Sequence, residues 1–83
     1  MAEIKMYTTT WCPDCKHAKA WLEQRGLSYE EINVETTPGA ADLVLSINSG
    51  KRKVPTFIVG EDRFHNSPFN HNLMQEKFGG VKN

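Results

Sequence analysis

Apolar and polar positions alternate at the start of the chain. Between Glu3 and Thr8, Ile4 and Met6 fall on one side and Lys5 and Tyr7 on the other, the period of a β-strand. The spacing then changes. Ala18, Trp21, Leu22 and Arg25 recur at helical intervals, Pro13 suits the first turn, and Gly26 is a natural stop, which places Cys12 at the N-cap. Ser28 to Val34 reads as a second strand with Tyr29, Ile32 and Val34 available to pack. Thr36, Thr37 and Pro38 open a second helix with an apolar face of Ala40, Leu43, Val44 and Ile47, ended by Asn48-Ser49-Gly50. Thr56 to Val59 lacks polar alternation, as expected of a strand covered on both faces. Gly60-Glu61-Asp62 turns into a short strand around Arg63-Phe64-His65. Ser67-Pro68 then starts a last helix carrying Phe69, Leu73, Met74 and Phe78, stopped by Gly79-Gly80.

The predicted order is β-α-β-α-β-β-α. A strand–helix–strand front implies a parallel crossover, and the turn near Asp62 implies an antiparallel pair at the back. One four-stranded mixed sheet flanked by helices satisfies both, so the fold class is α/β, with residues 1–83 as a single domain.

Charge narrows the partners. Ten Lys and Arg balance ten Asp and Glu, so no electrostatic footprint for a nucleic-acid backbone or an anionic membrane surface is present. The apolar stretches are far shorter than the ~20 residues of a membrane span. The start of the chain lacks a signal-peptide pattern, so the expected location is the cytoplasm.

The two cysteines carry the chemistry. Cys12 and Cys15 are the only ones in the chain, and a bridge between them closes too short a loop to add much stability. A disulfide there serves reactivity. A free cysteine has a pKa of about 8.5, and a helix N-terminus aims backbone N–H groups and the positive end of the dipole at the sulfur of its N-cap residue. Cys12 is therefore expected to be exposed and to attack. Cys15, one turn on, faces the core with Ala18 and resolves the mixed disulfide. A C-x-x-C that follows a strand and opens a helix in a βαβ pattern is a strong redox signal. The competing chemistry is metal: the two thiols with His65 and His71 as zinc ligands, or an iron–sulfur cluster shared between chains.

With these motifs in view, the chain resembles the glutaredoxin family of the thioredoxin-like fold. The likeness rests on Tyr7-Thr8-Thr9-Thr10-Trp11-Cys12-Pro13-Asp14-Cys15, on Ile47 to Thr56, and on Asn66-Ser67-Pro68, and is greatest to mycoredoxin-like members. It implies a monomeric thiol–disulfide oxidoreductase with no bound cofactor. Glutathione, mycothiol, or thioredoxin reductase with NADPH is the implied reductant, and disulfide-containing proteins are the implied substrates. A variant of this role is electron donor to ribonucleotide reductase. Where glutathione-using members carry Lys three residues before the first Cys and Gly-Gly before the last helix, this chain has Thr9 and Asn66-Ser67-Pro68.

A substrate surface is expected around the thiols. Trp11 borders them as a docking platform, and Arg52 leads the basic run Lys51-Arg52-Lys53, which either raises the local potential or is merely solvated. Pro55 on default statistics is trans. The resemblance instead implies a cis Val54–Pro55 turn facing the thiols, its Val54 backbone groups offered to an extended substrate. Asn66 and Ser67 complete the surface. Asp14 complements the helix dipole or, alternatively, opposes the thiolate and alters docking. His17, one turn on, is a solvent-facing residue or a proton carrier.

Overall fold

The central strand is set by four residues that avoid water. In β1 (Ile4–Thr8), Ile4, Met6, Tyr7 and Thr8 are all buried, so the alternation expected at Tyr7 is overridden: the strand is covered on both faces. The structure is a computed structural model and describes residues 3–80. Its elements follow the predicted order: β1, α1 (Pro13–Gln24), β2 (Glu30–Asn33), α2 (Ala40–Ile47), β3 (Thr56–Val59), β4 (Asp62–His65) and α3 (His71–Phe78).

The sheet order is β2-β1-β3-β4. β2 runs parallel to β1, with Tyr7 opposite Ile32, and the N–H of Val34 extends this pairing to the carbonyl of Thr8 at 2.9 Å. β3 lies antiparallel to β1 with Met6 opposite Phe57, and β4 closes a hairpin on β3 through Gly60 and Glu61. Gly60, at φ 62°, takes the left-handed turn that only glycine adopts without strain.

Register sorts the core into two layers. Met6 and Phe57 share one face, where Phe57 meets the ring of Phe78 edge-on at 5.1 Å and Phe64 at 5.3 Å. Trp21 of α1 reaches Phe78 at 6.1 Å, so α1 and α3 cover this side together. Tyr7 and Ile32 adjoin Ala40 and Leu43 of α2 on the other side.

The helix ends explain their own lengths. At the end of α1, the N–H of Leu27 reaches the carbonyl of Leu22 and that of Gly26 reaches Glu23, a Schellman closure around Gly26 at φ 69°. Two starts differ from expectation. α2 begins at Ala40 behind Gly39, not at Thr36 or Thr37. α3 begins at His71, because the Asn70 side chain caps it by accepting the N–H of Leu73 at 3.1 Å. Residues 66–69 thereby become a loop, with a cis Ser67–Pro68 bond. Among the described residues no helix is long and apolar enough to cross a membrane.

Candidate functional site

Cys12 caps α1 with its own sulfur. The N–H of Cys15 donates to Cys12 Sγ at 3.1 Å, and Pro13 occupies the first helical position, where a missing N–H costs nothing. The Cys12 thiol in turn donates to the carbonyl of Val54 at 3.5 Å. Folding the side chain back in this way leaves Cys12 only 4% exposed, which corrects the expectation of an exposed sulfur; Cys15 is 1% exposed. Both are free thiols.

The environment of Cys15 is unlike that of a surface thiol. Burial pushes its pKa up to about 12, helped by its hydrogen bond to Cys12 and the negative charge that Cys12 develops. A backbone hydrogen bond from Thr9 and the charge of Lys19 work the other way. Lys19 is held in place: its Nζ donates to Glu31 Oε2 at 2.9 Å, and the Thr8 hydroxyl donates to the same oxygen at 2.9 Å. Burial works to raise the Glu31 pKa, but the bonds from Lys19 and Thr8 and the Lys19 charge outweigh it and hold the carboxyl below its usual range.

The remaining expected residues divide. Val54–Pro55 is cis, and its Val54 carbonyl faces Cys12. Asn66 is fully buried, donating its N–H to the Pro55 carbonyl at 3.0 Å and exchanging two side-chain bonds with the Asn70 backbone. Ser67 joins the site through Asp14. Trp11 stands 66% exposed beside Cys12, with its Nε1 donating to Glu35 at 3.4 Å. Arg52 is exposed, whereas Lys51 and Lys53 line a groove of about 630 Å³ with Arg63, Phe64 and His65. The His65 ring accepts the N–H of Ser67, the His71 ring meets that of Phe69 edge-on at 5.6 Å, and among the described residues no three His, Cys, Asp or Glu gather as for a metal ion. The exposed His17 ring lies 5.5 Å from that of Phe69.

One functional contact is absent from the sequence reading. Asp14 accepts the backbone N–H of Phe69 with Oδ1 at 3.1 Å and the Ser67 hydroxyl with Oδ2 at 3.3 Å. It clasps the β4–α3 loop to the start of α1. Nothing local foretells a bond across 55 residues.

A strand–turn–helix bearing two thiols, opposite a cis-proline turn on a β2-β1-β3-β4 sheet, defines a dithiol protein of the thioredoxin-like fold. The Glutaredoxin pattern matches residues 4–64, and the chain belongs to that family of thiol–disulfide oxidoreductases. Over 56 residues, 68% of either chain, it is 38% identical to mycoredoxin 1 of Corynebacterium glutamicum. The chain spans about two thirds of the length of such curated relatives. The glutaredoxin of Archaeoglobus fulgidus superposes with a TM-score of 0.73 at 30% identity, covering 92% of this chain and 85% of the other. For the glutaredoxin-like NrdH-redoxin of Escherichia coli the TM-score is 0.68 at 33% identity, covering 76% and 80%.

Proposed function

We propose that the chain reduces disulfides through Cys12 and Cys15, acting as a monomeric 1–83 domain in the cytoplasm with no bound cofactor. The Cys12 sulfur, as thiolate, attacks one sulfur of R–S–S–R′. A Cys12–S–S–R bond forms, the S–S bond of the substrate breaks, and R′S⁻ leaves and takes up a proton. Cys15 then loses its proton and attacks Cys12 Sγ, so that R–S⁻ is released and protonated and a Cys12–Cys15 disulfide remains. Two electrons and two protons pass from the dithiol to the substrate. The observation that carries this reading is the 3.1 Å bond from the Cys15 N–H to Cys12 Sγ, which offers a developing thiolate a donor that is already in place.

The order of events has a physical basis. While Cys12 is free, its hydrogen bond and charge help to keep Cys15 protonated. Once Cys12 is in a mixed disulfide both influences vanish, while the pull of Thr9 and Lys19 stays. Burial, the largest cause of the raised Cys15 pKa, stays, but Cys15 is easier to deprotonate once there is something to resolve.

The substrate lies across Trp11, Arg52, the Val54–Pro55 turn and Ser67, over the buried Asn66 that holds the loop. The Val54 carbonyl is the edge against which an extended disulfide peptide pairs. Substrates are protein disulfides or mixed disulfides with a small thiol. A small thiol such as glutathione or mycothiol, or a flavoprotein reductase drawing on NADPH, restores the dithiol. The second reductant is favoured by the likeness to NrdH-redoxin of Escherichia coli, a glutaredoxin-like protein with a thioredoxin-like activity profile, and it would suit an electron donor to ribonucleotide reductase.

The test is to oxidise the protein, offer glutathione, mycothiol, or thioredoxin reductase with NADPH, and count the thiols recovered. Recovery of two thiols with one donor names the reductant. Recovery with none, together with stoichiometric iron or zinc in the purified protein, overturns the reading in favour of a metal-holding module.

A further inference from the structure

Cys12, Val54–Pro55, the 66–70 loop and Asp14 form a closed circuit. Cys12 bonds to Val54, the Pro55 carbonyl accepts from Asn66, and the loop that follows Asn66 ends on Asp14, two residues from Cys12. The loop is built rather than draped. Asn66 is 1% exposed, and both ends of its amide are spent on the Asn70 backbone. The Phe69 N–H and the Ser67 hydroxyl are therefore held as a fixed pair of donors, spaced to meet the two oxygens of one carboxylate. The half-buried carboxylate that meets them belongs to the protein itself.

We propose that Asp14 is a specificity-determining residue: it fills from within the carboxylate site beside Cys12 and so turns away disulfides of anionic small thiols, leaving uncharged and polypeptide disulfides as substrates. This rests on the reading of Cys12 as the attacking sulfur. An incoming carboxylate finds both donors taken and a like charge beside them, and like charges set together at a binding surface oppose association. A polypeptide disulfide is spared this, because its hold on the site is the backbone edge at Val54 and needs no carboxylate pocket. The cations of Lys51, Lys53 and Arg63 line a different groove and offer Asp14 no counter-charge among the bonds it makes.

The experiment compares the rates at which Cys12 forms a mixed disulfide with oxidised glutathione, which is anionic, and with hydroxyethyl disulfide, which is uncharged. Wild type, Asp14→Ala and Asp14→Asn are followed by mass in a Cys15→Ser background. Asp14→Ala vacates the donors, and the glutathione-to-hydroxyethyl rate ratio should rise about tenfold, the scale of one charge-assisted pair of hydrogen bonds. Asp14→Asn removes the charge and keeps an Oδ1 acceptor for Phe69, while its Nδ2 can only donate, so the Ser67 hydroxyl turns from donor to acceptor. Its ratio should rise by no more than about threefold, and that rise should fade in about 1 M salt, where screening reaches ~3 Å. If Asp14→Ala changes both rates by the same factor, Asp14 merely braces the loop and the inference is overturned. If neither disulfide modifies Cys12 in any of the proteins, the reading of Cys12 fails and takes the inference with it.

Discussion

The backbone N–H of Cys15 points at the sulfur of Cys12 from 3.1 Å. The donor is main chain, so it survives replacement of the Cys15 side chain. Cys15→Ser should leave Cys12 able to attack but unable to be released, and mixed disulfides should accumulate on Cys12 as mass adducts that dithiothreitol removes. Cys12→Ser should form none and lose all disulfide reduction. Adducts on Cys15 in the Cys12→Ser protein would reverse the two roles.

The buried Cys15 thiol makes the dithiol form sensitive to alkali. Its folded pKa of about 12 lies above the ordinary 9.0, so folding favours the protonated group. That contribution is complete below pH 9 and is lost as pH rises toward 12, at up to about 1.4 kcal/mol per pH unit. Urea midpoints of the reduced protein should fall over this window, and Cys15→Ala should flatten the fall. An identical pH dependence in the variant would remove Cys15 as its cause.

Glu31 acts at the other end of the scale. Its pKa is held down in the fold, so its contribution is present above the usual carboxylate range and is lost as pH falls through the folded value. The Lys19–Glu31 pair is partly exposed, which limits the effect to about 1 kcal/mol or less. Glu31→Gln should lower the urea midpoint slightly at neutral pH and leave it unchanged in strong acid. A loss that persists in acid would point to packing instead.

Asn66 holds the loop that carries Ser67 and Phe69. Asn66→Ala removes both side-chain bonds to the Asn70 backbone, whose carbonyl keeps the Met74 N–H, at a cost of about 0.5–1.5 kcal/mol for each bond lost. Urea unfolding should show a loss on this scale. Asn66→Asp, compared at a pH low enough to keep its carboxyl protonated, keeps the acceptor for the Asn70 N–H and a donor for the Asn70 carbonyl and should restore part of it. Equal losses in the two variants would assign the cost to volume rather than to hydrogen bonding.

The sequence announces what is local. Pro13 after Cys12, Gly26 after the Leu22 turn and the apolar run from Thr56 to Val59 each name their element, because caps, stops and burial act within a few residues. What it conceals depends on the far side of the fold. Tyr7 reads as the polar face of a strand and is buried because α2 covers it. Ser67-Pro68 has the composition of a helix start, yet Asn70 takes the capping role while Ser67 is drawn to Asp14. Cys12 reads as exposed because a helix N-terminus usually is, and it is covered where the Val54–Pro55 turn meets it. In the candidate site the sulfurs are legible from motif and spacing, whereas the cis turn at Pro55 is legible only through the family resemblance and runs against the default preference for trans. The Asp14 clasp and the Thr8–Glu31–Lys19 cluster join residues with no signature of their own.

The sheet ends on both sides in strands of four residues, β2 and β4. Glu30 and Glu31 stand exposed on one rim, and Asp62 and Arg63 on the other. At pH 7 the chain has no net charge, so two molecules approaching in solution feel little long-range repulsion. Short rims that carry their own charges resist edge-to-edge pairing where the molecule as a whole cannot. Neutralising Glu30 alone would strip charge from the β2 rim without touching the Thr8–Glu31–Lys19 cluster, and would leave that edge more open to pairing with another strand.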